Sequence, residues 1–258
     1  MHPVLIEIGK FRIYSYGFML ALAFLVGIIF ASRRAEREGL GREVIYDLSA
    51  VIVVLAVIGS RALYIITHAE NYHSIIDVIA LWQGGATYYG GLVLAIAGSW
   101  VFTRIKKISF LKVADIVSPS IGIGIFFTRI GCFLSGCCFG SPTSCSLGVV
   151  FPPNSPAGSI YTGLRIHPTQ LYSSFYGLLI FVLLLLVERK KKFDGFVFAF
   201  LCVFYGIARF VIDFFRYYER SAFVGAGLTI NQILSLGLIV VGITLLFYLK
   251  QRAEGKEV

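Results

Sequence analysis

Long apolar stretches recur along the chain, near residues 14–32, 44–66, 89–103, 113–134, 171–187, 194–215 and 228–249. A bilayer core takes roughly 20 apolar residues per helical span. In lipid each backbone N–H and C=O must be satisfied internally, so stretches of this length can only be helices. Composition agrees: 57% of the 258 residues are hydrophobic and 14% charged, against about 45–50% and 25% in soluble domains. The expected fold is an all-α integral membrane protein of about seven transmembrane helices, with residues 1–258 forming a single transmembrane domain. The third and fifth stretches are short, which predicts tilted spans. Pro119 and several glycines interrupt the fourth, which predicts a kinked or partly re-entrant segment.

The net charge of +9 would raise the question of nucleic acid in a soluble protein. Here membrane topology answers it first. Basic residues cluster in alternate connections: Arg33, Arg34, Arg37 and Arg42; Arg104, Lys106, Lys107 and Lys112; Arg189, Lys190, Lys191 and Lys192; and Lys250, Arg252 and Lys256. Alternate connections lie on one side, and the 67–88 connection carries no Lys or Arg. The positive-inside rule makes the clusters cytoplasmic. Seven spans then place the N-terminus outside and the C-terminus in the cytoplasm, with no call for a nucleic-acid partner. The first apolar stretch follows Lys10 and Arg12, is long and lacks a small-residue cleavage site, so it reads as a retained helix. Residues 135–170 hold all but two of the seven prolines, which predicts an ordered, turn-rich external loop.

Topology leaves Arg61, Arg129, Arg165, Arg209 and Arg216 to be explained, together with Lys10, Arg12 and Arg220 near the ends of spans. A charge at membrane depth costs on the order of 2.5–3.5 kcal/mol, so it faces a partner inside the bundle. Within GIARFVIDFFRYYER, Arg209, Asp213 and Arg216 are spaced i, i+4, i+7 and share one helical face. One carboxylate cannot neutralise two guanidiniums. The second anion is Glu219, Asp115 or a ligand phosphate, which suits arginine's planar fork. Arg61, Arg129 and Arg216 fall at a similar expected depth near the outer leaflet, a match for an anionic lipid headgroup. Tyr14, Tyr16, Trp82, Tyr88, Tyr89 and Tyr217 fall at the same level, where an interfacial aromatic belt is the plain reading.

In WQGGATYYGGL, Gly-Gly pairs flank Tyr88 and Tyr89. Such pairs mark a turn into the next helix or let a lipid or peptide approach the backbone. In FTRIGCFLSGCCFG and the segment after it, Cys132, Cys137, Cys138 and Cys145 give C-x4-CC-x6-C, which is not the C-x2-C pairing of a zinc ribbon. A disulfide among Cys137, Cys138 and Cys145, a redox-active pair, and small packing thiols are the readings that remain.

Several motifs, in order along the chain, resemble those of the bacterial prolipoprotein diacylglyceryl transferase family. YSYGFML (14–20) resembles the family's tyrosine-glycine motif and GSRALY (59–64) its GGRxGY. GGATYYGG (84–91) resembles GGxxxHGG, and TRIGCFLSGCCFG (128–140) resembles GRxGNFxNxExxG. HPTQLY (167–172) is similar to HPSQLYE, and RFVIDFFR (209–216) to R-x-x-x-E-F-F-R. Departures stand at Tyr89 for the family's histidine, Cys132 and Ser135 for its asparagines, and Cys137 and Ser173 for its glutamates.

The resemblance implies transfer of a diacylglyceryl group from phosphatidylglycerol to the lipobox cysteine thiol of a prolipoprotein, forming a thioether and releasing glycerol 1-phosphate. It implies catalytic roles for Arg129, Arg216 and Tyr89. Substrate-binding roles fall to Arg129, Tyr16, Arg61, Gly90, Gly91, Gly140, Gln170, Tyr172, Arg209 and Asp213. Expulsion of a phosphate monoester calls for guanidiniums in a low-dielectric site. On this reading Asp213 and Arg209 orient Arg216, and Tyr89, a poorer base than histidine, binds the headgroup or donates a hydrogen bond. The scheme needs no cofactor and no metal; its partners are phosphatidylglycerol, lipobox peptides and membrane lipids. A lipid-binding or transport protein that has lost the chemistry, and a membrane thiol oxidoreductase, are the alternatives.

Overall fold

The computed structural model describes residues 1–9, 11–71, 84–219, 222–224 and 227–255. Lys10, Trp82, Arg220, Lys256 and most of the 67–88 connection lie outside the described residues. Among the described residues the helices are α1 (Ser15–Arg37), α2 (Arg42–Thr67), α3 (Tyr88–Ile105), α4 (Phe110–Ser135), the short α5 (Pro156–Ile160), α6 (Thr169–Glu188), α7 (Phe196–Asp213) and α8 (Ile230–Glu254). α1, α2, α4, α6, α7 and α8 are long and apolar enough to cross a membrane. α3, with 18 residues, is diluted by Tyr88, Tyr89 and three glycines. Large apolar side chains stand exposed on the helix exteriors, including Phe175 at 68% and Phe247 at 67%. Lipid is the solvent in which such surfaces are stable.

The segment expected to be kinked or partly re-entrant forms α4, one continuous helix from Phe110 to Ser135 with Pro119 inside it. Pro119 is fully buried. It is flanked by Ser118 and Ser120, with Gly122 one turn on. Small residues like these let neighbouring helices close in, which is how a helix in lipid tolerates proline. The turn between α3 and α4 passes through Lys107, which holds a left-handed backbone at φ 56.

The contacts define two compact units, residues 1–31 with 114–258, and residues 32–113. In the second unit, α2 and α3 pack backbone to backbone. A Cβ on Gly59 would strike the Gly90 carbonyl, and one on Gly91 would lie 2.9 Å from the Ala56 carbonyl. Gly90 and Gly91 are therefore helix-packing residues in this unit. Lys106 reaches Asp47 at 3.0 Å and joins the basic ends of the two helices.

In the first unit, α4 packs on α1 and α6. Ser120 Oγ donates to the Gly27 carbonyl at 3.0 Å, and Gly122 and Gly177 face one another so closely that a Cβ on either would meet the other's carbonyl at 3.0 Å. The unit opens with an antiparallel hairpin, β1 (Val4–Ile8) and β2 (Phe11–Tyr14), with Gly9 at φ 60. The segment 135–170 is ordered, as expected. β3 (Val149–Val150) pairs with β4 (Arg165–Ile166), and α5 is capped by Ser155, whose Oγ accepts from the Gly158 N–H at 3.1 Å. A third hairpin, β5 (Phe223–Val224) and β6 (Leu228–Thr229), leads into α8. Thr229 opens α8 with a capping box to Gln232.

Asp115 is a structural carboxylate. It accepts from the backbone N–H groups of Gly195 and Phe198, both at 2.9 Å, and thereby caps α7; Lys191 lies 3.4 Å away. Asp115→Ala is expected to lower stability by about 2 kcal/mol, from the lost cap, read as a lower unfolding midpoint in detergent. An unchanged midpoint would contradict this role.

Candidate functional site

The site is built where the C-terminal end of α4 meets the ordered segment. Residues 139–143 run extended between two neighbouring segments. On one side the Gly140 N–H donates to the His167 carbonyl at 3.0 Å; on the other the Ser141 N–H donates to the Phe215 carbonyl at 2.9 Å. Gly140 and Arg216 form a β-bridge. A Cβ on Gly140 would sit 2.5 Å from the His167 carbonyl oxygen and 2.6 Å from that of Phe215. Glycine is the one residue this close approach admits.

The helical-face expectation for Arg216 needs correction. α7 ends at Asp213, so Arg216 lies beyond the helix: its N–H closes a turn on the Asp213 carbonyl at 3.3 Å, and the bridge to Gly140 is made by the Ser141 N–H to the Phe215 carbonyl and the Tyr217 N–H to the Phe139 carbonyl. Arg209 and Asp213 do share a face and pair at 2.9 Å. Sequence reasoning missed Tyr218, which links the parts. Its hydroxyl donates to Asp213 at 2.8 Å and accepts from Arg209 at 2.9 Å and Asn231 at 3.1 Å. The guanidinium of Arg216 lies over its ring at 5.4 Å. Asp213 also accepts from the Thr229 hydroxyl at 2.7 Å. Arg209 and Asp213 thus act on Arg216 through Tyr218. The remaining carboxylates weighed from sequence do not compensate it: Asp115 caps α7, and among the described residues neither Arg129 nor Arg216 forms an ion pair.

Arg129, half-buried near the end of α4, and Arg216 both lie within electrostatic range of the Cys138 thiol. The Tyr16 hydroxyl, at the first turn of α1, is within range of Arg129, Cys132, Cys137 and Cys138. Gly131 makes that approach possible: a Cβ there would lie 3.2 Å from the Tyr16 Cα. Arg129 is also within electrostatic range of the Tyr176 hydroxyl. That hydroxyl is buried and has no hydrogen-bond partner among the described residues, and the same is true of Gln170 Oε1.

The HPTQLY segment buttresses the cysteine turn. Thr169 Oγ1 donates to the Cys138 carbonyl at 3.0 Å and Gln170 Nε2 to the Cys137 carbonyl at 2.8 Å. The Tyr172 hydroxyl lies 3.3 Å from His167 Nδ1. Cys138 holds a left-handed backbone at φ 59, which costs a non-glycine residue about 1–2 kcal/mol.

The described cysteines are all free thiols. The disulfide weighed among Cys137, Cys138 and Cys145 is therefore absent from the structure: Cys145 is exposed, whereas Cys137 and Cys138 turn toward Cys132. The sulfur atoms of Cys132, Cys137 and Cys138 lie within 4.8 Å of one another. Charge sharing among the three clustered sulfurs, with Arg216 and Arg129 behind them, holds the Cys138 thiol below its ordinary range. The same sharing pushes Cys137 above it.

In the second unit Arg61 is buried and donates to the carbonyls of Gly84 and Gly85, the latter at 3.0 Å. Both glycines have positive φ, 82 and 84, so Arg61 fastens a turn that non-glycine residues resist. Tyr89 is 43% exposed and packs edge-on against Tyr88, ring centres 5.6 Å apart.

These features define an integral membrane protein with a guanidinium-rich site among thiols and tyrosines. The chain belongs to the prolipoprotein diacylglyceryl transferase family: the family model of that description matches residues 3–248. Similar proteins include the phosphatidylglycerol--prolipoprotein diacylglyceryl transferases of Clostridium tetani, 33% identical over 94% of this chain and 96% of that protein, and of Finegoldia magna, 32% identical over 100% of both chains. That of Geobacter sulfurreducens is 30% identical over 98% of this chain and 97% of its own length.

Proposed function

We propose that this protein transfers the diacylglyceryl group of phosphatidylglycerol to the lipobox cysteine of prolipoproteins. The observation that carries the reading is the pair Arg129 and Arg216, two guanidiniums near one thiol with no carboxylate partner among the described residues. Such a pair calls for an anion, and a lipid phosphate supplies it. As the lipobox sulfur attacks glycerol C3, the C3–O bond breaks and charge grows on the departing glycerol 1-phosphate. Fixed guanidiniums stabilise that charge with little reorganisation.

In this scheme Tyr16 and the unpartnered Tyr176 hydroxyl bind headgroup oxygens beside Arg129, and Gln170 Oε1 accepts from the lipobox peptide. Gly140 and Tyr172 shape the wall, while Arg209 and Asp213 position Arg216. Arg61, Gly90 and Gly91 hold the segment that carries Tyr89, whose hydroxyl binds the headgroup. The protein works as one transmembrane domain of seven spans in the bacterial inner membrane, N-terminus outside, with phosphatidylglycerol and lipobox peptides as partners and no nucleic acid.

The test is complementation of cells depleted of their own transferase. Growth and processed lipoproteins are expected; failure despite normal membrane insertion would favour the lipid-binding alternative. Tyr218→Phe keeps the ring under Arg216 but removes its hydroxyl bonds. It is expected to cost about 1–3 kcal/mol of stability and to slow transfer less than Tyr218→Ala; equal rates in the two variants would contradict the positioning role. Tyr89→Phe is expected to slow transfer roughly 10-fold through one lost hydrogen bond, and full activity would show that the hydroxyl is dispensable.

A further inference from the structure

We infer that Cys132, Cys137 and Cys138 form a binding site for one thiophilic divalent ion, zinc by its chemistry, with an open fourth position that takes the substrate thiol. The second half of this inference rests on the transferase reading; the first half does not. Three sulfur atoms within 4.8 Å of one another need only a small contraction to reach the separation of about 3.8 Å set by tetrahedral zinc–sulfur bonds of ~2.3 Å. The cluster is held before any ion arrives. Thr169 and Gln170 anchor the carbonyls of Cys138 and Cys137, the Cys137 N–H donates to the Cys132 carbonyl at 3.1 Å, and Cys138 adopts the left-handed backbone that turns it back toward Cys132.

Three thiolates around a divalent ion carry one net negative charge, and a fourth thiolate makes it two. Arg129 and Arg216 lie within electrostatic range of Cys138 and compensate that charge. Three protein ligands with one open position is the arrangement of a catalytic rather than a structural zinc site.

A thiol entering the open position gives its proton to solvent and remains as a metal-held thiolate. Its sulfur then forms the bond to glycerol C3. The C3–O bond breaks, and glycerol 1-phosphate leaves with that electron pair. The metal changes neither charge nor oxidation state, and the thioether product, a weaker ligand, departs.

The full-length protein purified in detergent after growth with zinc tests this. About one zinc per chain is expected, falling at least tenfold in Cys132→Ser and in Cys138→Ser and unchanged in Cys145→Ser. Cobalt substitution is expected to give sulfur-to-metal charge-transfer absorption that rises when lipobox peptide is added. Metal-free protein with all five thiols titratable, or a disulfide within the cluster by mass spectrometry, would overturn the site. Chelator-stripped protein is expected to lose transfer at least tenfold and regain it with zinc. Unchanged transfer after stripping would overturn the role in thiol activation. Stoichiometric zinc with no transfer in any form would support the site and overturn the proposed function.

Discussion

Arg129→Ala is expected to lower diacylglyceryl transfer by about 100- to 1,000-fold, the cost of removing one fixed stabiliser of developing charge. The guanidinium belongs to the last turns of α4, lies within electrostatic range of Tyr176 and Cys138, and forms no ion pair among the described residues. The bound phosphate is its partner in this mechanism, so the variant removes transition-state stabilisation rather than a structural bond. Folding should survive: a half-buried, unpaired cation contributes little to stability that its loss would remove. Arg129→Lys is expected to recover only part of the rate, because an ammonium lacks the planar fork. Rates measured with a lipobox peptide and phosphatidylglycerol, beside unfolding midpoints, check both. Near-normal turnover in Arg129→Ala would remove Arg129 from the site.

Gly140→Val is the second large effect. Its Cβ would fall 2.5 and 2.6 Å from two backbone carbonyl oxygens, those of His167 and Phe215, and backbone cannot swing aside as a flexible side chain can. The segment carrying Arg216 must move, and a displacement of about 1 Å can cost on the order of 100-fold in rate. The expected signature is a transfer rate lowered about 100-fold with Arg129-dependent lipid binding retained in part. Transfer at the normal rate would show that the Gly140–Arg216 bridge does not position the arginine.

The long helices are legible because lipid demands unbroken apolar runs, a signal that local propensity cannot blur. The Arg209–Asp213 pair is legible for a similar reason, since i, i+4 spacing on a helix dictates contact. Sequence reading fails where chain geometry departs from the helix. The apolar pattern continues through Phe214 and Phe215 and so puts Arg216 on the same face, yet the helix ends at Asp213. The alternation in IEIGKFRIY marks the β1–β2 hairpin, but the neighbouring apolar stretch masks it. Pro119 sits inside a continuous helix, where the small residues around it let neighbouring helices close in. C-x4-CC gives no metal spacing in sequence. The turn at Gly136, at φ 71, and the left-handed Cys138 bring the three sulfurs together, and neither conformation is written in the cysteine spacing. Tyr218 carries no motif at all; its importance lies in partners from α7 and from the start of α8.

The central claim is that two guanidiniums without acidic partners among the described residues serve the phosphate of a diacylglyceryl donor. The most direct measurement is mass spectrometry of a lipobox peptide incubated with the purified protein and phosphatidylglycerol. The predicted result is a diacylglyceryl mass added at the peptide's cysteine, release of glycerol 1-phosphate in equal amount, and loss of both in Arg129→Ala and Arg216→Ala. An unmodified peptide with folded, lipid-loaded protein, or undiminished transfer in both variants, would contradict it.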